Sequence, residues 1–367
     1  MKTLFLTLRT FSATGGIEKV CRIMGKALYE ESIEKDELLQ VCSMYDMQED
    51  SFNNIYFPAE NFMGYGINRL KFIYDMVRRG SAFDRIILSH INLLPIGWFI
   101  KKMFPKTRII LMAHGIEIWY PFKKRKRRML HQCDIILAVS SFTRNKVIEV
   151  HGFPKDNCIV LNNCLDPFLR RTLPSKKDKN LLGKYNLKEN DLILLTLTRM
   201  SSKERYKGYD KVIEALSYIK EKYPEIKYLI AGRYDRHEKA YVDRLIKKLE
   251  LRSIVVTPGF IPDDELEAHF AMSDLYVMPS RKEGFGIVFI EAMYYGLPVI
   301  AGNVDGSPDA LLFGELGKLV NPMDLGEIAK SIINIIENKQ EFTPSQELLN
   351  EHFGYEAYKR KLAFAIN

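Results

Sequence analysis

What constrains this chain most is an alternation, run through twice, of short apolar, β-branched segments with longer amphipathic ones. A run of four to eight apolar residues bounded by turn residues suits a strand buried on both faces. A following stretch with apolar residues every three or four positions suits a helix lying on the sheet. Strand, helix, strand in that order builds parallel sheets through crossover helices rather than sandwiches. In the first half the strand candidates are TLFLTL (3–8), LLQVCSMY (38–45), RIILSH (85–90), RIILMAH (108–114), IILAVS (135–140) and CIVLNN (158–163). In the second half they are LILLTLT (192–198), KYLIAG (227–232), IVVTPGF (254–260), LYVMPS (275–280) and PVIAGNV (298–304), separated by helical patterns such as YDKVIEALSYIKEKY (209–223).

The expected fold is therefore α/β, with two similar, Rossmann-like, doubly wound domains of six and five strands. The length of 367 residues agrees, since a single core rarely grows beyond about 250–300 residues. Between the two series, Leu169 to Asp191 turns polar and basic around Pro174, Ser175 and Gly183 and reads as the connection. The expected domains are 1–168 and 169–345. Residues 346–367 form a helical tail that can pack back on the N-terminal domain, a choice that periodicity leaves open.

Several classes fall away on composition. The apolar start, MKTLFLTLR, is interrupted at Arg9 and is too brief for a secretory signal. The apolar stretch Ile91 to Ile100 contains Asn92 and Pro95 and falls short of the ~20 residues that a bilayer span needs. Five scattered cysteines, none spaced C-x-x-C, argue against a disulfide frame or a zinc site and suit a reducing cytosol. No H-E-x-x-H and no Asp-x-Asp pair is present, so no metal is expected. The net charge of +8 is lopsided: residues 1–168 carry 24 Lys and Arg against 17 Asp and Glu, whereas 169–367 carry 30 against 29. Within the first half, residues 69–128 hold 15 basic and 3 acidic side chains and end in KKRKRR, Lys123 to Arg128. This stretch reads either as a solvated helix face or as a surface for something anionic, such as phospholipid headgroups.

In open parallel sheets ligands bind beyond the carboxyl ends of the strands. After the first strand comes TGGIEKV (14–20), where Gly15 and Gly16 let backbone approach a ligand and a helix start offers free N–H groups. It lacks G-x-G-x-x-G, which disfavours a dinucleotide cofactor. After strand 192–198, RMSSKERYKG puts Arg199 at the strand end and Lys207 just before Gly208. Without a metal, a diphosphate needs fixed cations, a guanidinium that grips two oxygens and an ammonium as a compact charge. After strand 275–280 comes EGFGIVFIEAMYYGLP (283–298). Glu283-Gly-Phe-Gly is a turn, and the helix after it aims the amides of Ile287 and Val288 past the strand ends, where a phosphate would be favoured. Eight residues of helix would set Glu283 and Glu291 about 12 Å apart, beyond the ~5–9.5 Å of glycosidase pairs. Their carboxylates are better suited to accepting hydrogen bonds from sugar and ribose hydroxyls.

At these residues the chain resembles glycosyltransferase family 4, retaining enzymes of GT-B fold. The resemblance rests on Arg199 with Lys207 and Gly208, the E-x7-E run from Glu283 to Glu291, its AM-x-x-GLPVIA continuation and GGIEKV near the start. It extends to SHINLLP (89–95), AHG (113–115), VSSFTRN (139–145), VLNNCLDP (160–167) and SDLYVMPS (273–280). One departure is DGSPDAL (305–311), where the family more often has Gly-Gly-x-Pro-Glu, so Asp309 replaces a longer acid.

The resemblance implies two Rossmann-like domains facing a central cleft, acceptor in the N-terminal one and nucleotide sugar in the C-terminal one. Arg199 and Lys207 would hold the donor diphosphate, with Gly16 near the phosphates. Glu291 would bind the ribose. Glu283 and the backbone of Gly284, Phe285 and Gly286 would hold the donor sugar. His114 would sit beside that sugar; otherwise it is a core histidine satisfied by backbone. The base would lie against Phe260 and Ile261, near Arg233. The implied reaction is metal-independent transfer of a hexosyl or N-acetylhexosaminyl group, with retention, to a glycan or lipid-linked acceptor in cell-surface polysaccharide or glycolipid synthesis. The nucleotide sugar, expected to be UDP- or GDP-linked, is substrate, and no cofactor is expected. The expected place is the cytoplasm, peripherally on the inner face of the cell membrane if the basic region binds lipid. A GT-B sugar-nucleotide epimerase is the neighbouring alternative. A nucleic-acid-binding protein using KKRKRR would leave Glu283, Glu291 and the second domain unexplained.

Overall fold

A computed structural model describes residues 1–171 and 177–367. The chain divides into two units, Met1–Pro167 with Tyr355–Asn367, and Phe168–Gly354. The first is built on seven parallel strands: β1 (Lys2–Thr7), β2 (Leu38–Ser43), β3 (Phe62–Gly64), β4 (Arg85–Leu88), β5 (Arg108–Ala113), β6 (Ile135–Ala138) and β7 (Cys158–Val160). They lie in the order β3-β2-β1-β4-β5-β6-β7. The second has six: β8 (Leu192–Leu197), β9 (Ile226–Ala231), β10 (Val255–Gly259), β11 (Leu275–Met278), β12 (Val299–Gly302) and β13 (Lys318–Val320), in the order β10-β9-β8-β11-β12-β13. All pairings are parallel.

Each sheet thus gains one strand over the sequence expectation, β3 and β13. Both are three-residue edge strands, too short to show an apolar run of their own. The central strands, by contrast, are buried on both faces: Ile86, Ile87 and Leu88 of β4 and Ile193, Leu194 and Leu195 of β8 are fully inaccessible. Both sheets reverse direction of progression beside their first strand, between β1 and β4 and between β8 and β11. That switch point opens a crevice at the carboxyl ends of those strands, where open α/β sheets take ligands.

The stretch expected to be a connection is only partly so. Pro174 and Ser175 lie outside the described residues, but Lys179–Lys184 is a helix capped by the Asp178 carboxylate, with Leu181 and Leu182 buried. Two adjacent leucines on one turn have apolar area to bury, and the helix settles near Leu266–Met272, where the Tyr185 hydroxyl bonds His269 at 2.9 Å. The tail divides at Gly354. Helix Gln346–Phe353 belongs to the second unit and sets Phe353 edge-on against Phe285. Helix Tyr355–Ile366 belongs to the first, burying Tyr358, Leu362 and Ile366, with the Tyr355 hydroxyl donating to Glu30 at 2.7 Å. All five cysteines are buried and free.

Candidate functional site

In the second unit the switch point is framed by two loops that clasp each other. The loop leaving β8 ends in a turn of 3-10 helix, Arg205–Lys207, and then Gly208 at φ 82°. A Cβ on Gly208 would run into the carbonyl oxygen of Pro279, just beyond β11, so only glycine lets the lysine loop lie flat against that strand end. The Arg281 amide donates to the Tyr206 carbonyl at 2.8 Å, and the Lys207 ammonium is ion-paired to the Glu283 carboxylate. Burial pulls the Lys207 pKa down, but the Glu283 charge and hydrogen bond outweigh it and leave the pKa above its ordinary value. Lys207 is held charged.

Glu283 is fixed through its backbone as well. Its N–H donates to Asp305 Oδ2 at 2.6 Å and its carbonyl accepts from the Gly306 amide at 2.8 Å. Asp305 also accepts from the Ser307 amide at 2.9 Å. Burial pushes the Asp305 carboxyl up to about 6, against the pull of those backbone donors. Gly284, Phe285 and Gly286 are buried behind Glu283. Gly286 has φ 88°, and a Cβ there would strike the Phe289 ring.

Helix Ile287–Tyr294 follows, its N-cap Gly286 having no side chain to cap it, so the half-buried Ile287 and Val288 bring their amides to an end without a side-chain cap among the described residues. Glu291 lies one turn further on the same face as Ile287 and is almost fully buried. Burial raises the hydroxyl pKa of Tyr276 on β11, and the charges of both Glu283 and Glu291 add to the rise. The two glutamates of the E-x7-E run therefore act on one neighbourhood.

Arg199 sits at the end of β8 with an exposed guanidinium that donates two bonds to Glu204, at 2.8 and 2.7 Å. The arginine expected to grip phosphate is thus held by an acid of its own loop, which the sequence reading did not single out. Arg233, just past β9, lays its guanidinium over the Phe260 ring at 4.7 Å. Phe260 is about half exposed and Ile261 buried. The residues expected around the base are brought together, with an open aromatic face among them.

In the first unit, Gly15 and Gly16 begin helix Gly16–Glu34, again without a side-chain cap. The loop before them is held by Asp46, fully buried after β2, which accepts from the Thr10, Phe11 and Ser12 amides at 2.6, 3.3 and 2.9 Å. Asp46 was also missed, since an acid following a strand carries no signal of the loop it holds. His114, at the end of β5, donates from Nε2 to the Ser89 carbonyl beyond β4 at 2.7 Å, while its amide donates to Glu117 at 2.6 Å. The first of these is the backbone bond that a core histidine would make, and it ties the ends of two strands.

The basic stretch is not one face. Arg85 is buried against Glu31 at 3.7 Å, Lys101 pairs with Asp134, and Arg108 donates to the Ile366 and Asn367 carbonyls. Trp119 is core, its indole N–H donating to Thr143. Lys102, Lys106 and most of Lys123 to Arg128 are exposed, and so is helix Arg69–Arg79, where Leu70 and Tyr74 are 81% and 64% accessible beside Arg69, Lys71 and Arg78, with Ile67 just before it. Among the described residues no group of three or more His, Cys, Asp or Glu could hold a metal ion, and no helix is long and apolar enough to cross a membrane.

Two family models match this chain, one described as glycosyl transferases group 1 over residues 177–360 and one as glycosyltransferase family 4 over residues 14–167. A GDP-mannose-dependent alpha-(1-6)-phosphatidylinositol monomannoside mannosyltransferase of Mycolicibacterium smegmatis is 28% identical over 62% of this chain and 61% of its own length. The chain thus spans about three fifths of that relative. An N-acetyl-alpha-D-glucosaminyl L-malate synthase of Bacillus anthracis is 29% identical over 79% of this chain and 76% of its own. Among solved structures, Anabaena Alr3699/HepE in complex with UDP and glucose superposes with TM-score 0.78 at 22% identity, covering 100% of this chain and 99% of that one. The likeness establishes the fold as GT-B.

Proposed function

The chain belongs to the glycosyl transferases group 1 family, and on that premise we propose that it transfers a hexosyl group, with retention and without a metal ion, from a nucleoside-diphosphate sugar to a glycan or lipid-linked acceptor of cell-surface polysaccharide or glycolipid synthesis. The observation that carries this reading is the Lys207–Glu283 pair set beside the uncapped start of helix Ile287–Tyr294. As the anomeric bond breaks, negative charge grows on the leaving diphosphate. Lys207, Arg199 and the Ile287 and Val288 amides are fixed positive ends for that charge, preorganised before the reaction. Glu283 and the backbone of Gly284, Phe285 and Gly286 receive the donor sugar, and Glu291 the ribose. Phe260, Ile261 and Arg233 offer the base an aromatic face and a buried floor. In the first unit, Gly15 and Gly16 take the phosphates and His114 the donor sugar. A hexosyl donor linked to UDP or GDP is supported by the relatives' own names. Helix Arg69–Arg79, apolar and cationic on its open side, is read as docking the protein on an anionic membrane surface, which places it in the cytoplasm on the inner face of the cell membrane.

The test is turnover and product analysis in EDTA with UDP- and GDP-sugars. Lys207→Ala should lower kcat at least ~100-fold, the effect of removing one preorganised donor. Near-normal turnover in that variant, or a product that is the epimerised donor instead of a transferred or hydrolysed sugar, would overturn the reading.

A further inference from the structure

A pocket of about 320 Å³ opens in the first unit between the loop after β4 and helix Lys124–Leu130. Its lining surface is mostly apolar, with Ile91, Pro95 and Met129 in it, and the basic residues Lys123, Arg125 and Lys126 border it. No acidic side chain lines it; Asn92 completes it with an amide. Three ammonium and guanidinium groups within four residues repel one another, and among the described residues none of the three is ion-paired. Lys126 rests over the Phe122 ring at 4.3 Å, and burial lowers its pKa more than the nearby Glu117 charge raises it, so its charge is poorly solvated. The pocket belongs to the carboxyl ends of β4 and β5. Asn92 donates its backbone N–H to His90, and His90 feels the charges of Glu117, His114 and Lys126.

We propose that this pocket binds the phosphate or phosphodiester of the sugar acceptor, an anionic head carried on an apolar body. The cations take the phosphate oxygens, and the apolar lining takes the apolar part next to it. The proposal rests on the transferase reading for the word acceptor, and on the lining alone for the chemistry. An unsubstituted neutral sugar would leave three cations unneutralised and an apolar lining facing hydroxyls.

Titration calorimetry on the full chain tests it with three probes: dihexanoyl phosphatidylglycerol below its micellar concentration, dihexanoyl phosphatidylcholine and glycerol 3-phosphate. The variant is Lys123→Gln/Arg125→Gln/Lys126→Gln, and the charge control is Lys247→Gln/Lys248→Gln/Arg252→Gln, three exposed cations of the second unit. Phosphatidylglycerol is expected to bind wild type and control alike and the pocket variant at least about tenfold more weakly, with phosphatidylcholine weak throughout. Glycerol 3-phosphate binding as tightly as phosphatidylglycerol assigns the site to soluble phosphates, and weaker binding assigns it to lipid headgroups. Equal affinity of wild type and pocket variant for both anionic probes, or no binding of either at millimolar concentration, overturns the proposal. Thermal shift by nucleotide sugars is read in parallel. Its absence in a wild type that binds the phosphate probes counts against the transferase reading and leaves the pocket's chemistry standing.

Discussion

Lys207 and Glu283 form an ion pair, so on the proposed reading a donor diphosphate would meet a cation already held at its place. The cost of ordering that cation is met in folding rather than in binding. Glu291 stands differently, buried on the helix one turn from the amides that would meet phosphate. A ribose hydroxyl is bound equally in ground and transition states. Glu291→Gln should therefore raise the donor KM by about tenfold, the worth of a hydrogen bond to a charged group, and leave kcat nearly unchanged. A fall in kcat at constant KM would move Glu291 to the reacting centre. Asp305 carries a pH dependence. Its carboxyl pKa is about 6 in the folded state against roughly 4 for an unperturbed carboxyl. A raised folded pKa means that its contribution to stability is full below about 4 and is lost as pH climbs through about 6, up to about 3 kcal/mol in all. In urea unfolding, the advantage of wild type over Asp305→Asn should then be larger at pH 4.5 than at pH 7.5; a constant gap would refute the assignment. Residue type and position single out Lys207, Glu283 and Glu291 as candidates, and only the family resemblance adds Arg233 and Phe260. Neither marks Asp305, Asp46 or Glu204. Two of these act by accepting backbone amides and the third by pairing within its loop, and such roles have no spacing of their own.

At the scale of elements, glycines decide how closely loops approach strands. Gly208 and Gly296 have almost the same φ, 82° and 83°, but a Cβ on Gly208 meets the Pro279 carbonyl, whereas nothing lies within 4 Å of one on Gly296. Substituting alanine adds the left-handed strain, about 1–2 kcal/mol, at both positions and a backbone clash only at Gly208. Gly208→Ala should accordingly lower the urea midpoint clearly more than Gly296→Ala, and it should also weaken nucleotide-sugar binding, since the clash pushes the lysine loop off β11. Equal midpoints would mean that the loop does not need its close fit. The strands buried on both faces are legible from their unbroken apolar runs. Edge strands β3 and β13 and helix Lys179–Lys184 are not: three to six residues are held in place by neighbours that are distant in sequence, and local propensity says nothing of those neighbours.

At the scale of the molecule, the excess charge belongs to one half of the chain, and the structure sorts which part of it faces solvent. Arg85, Lys101 and Arg108 are engaged inside the first unit, so the sequence count of 15 basic residues over 69–128 overstates the field at the surface. Most of Lys123 to Arg128 stays exposed, and so does helix Arg69–Arg79, with Phe72 and Met76 turned into the core and Leu70 and Tyr74 turned out. A helix that offers apolar and cationic groups on its open face gains from an anionic bilayer twice, by burying the apolar side chains and by attracting the headgroups. Only the second gain is screened by salt. Sedimentation with vesicles of phosphatidylcholine and phosphatidylglycerol should thus show binding that weakens from low to high ionic strength. Leu70→Ser/Tyr74→Ser should weaken it at both, whereas Lys71→Gln/Arg78→Gln should weaken it chiefly at low ionic strength. If partitioning is the same at both salt concentrations, or the apolar variant binds as wild type does, the helix is a solvated face and the protein meets its acceptor without docking there.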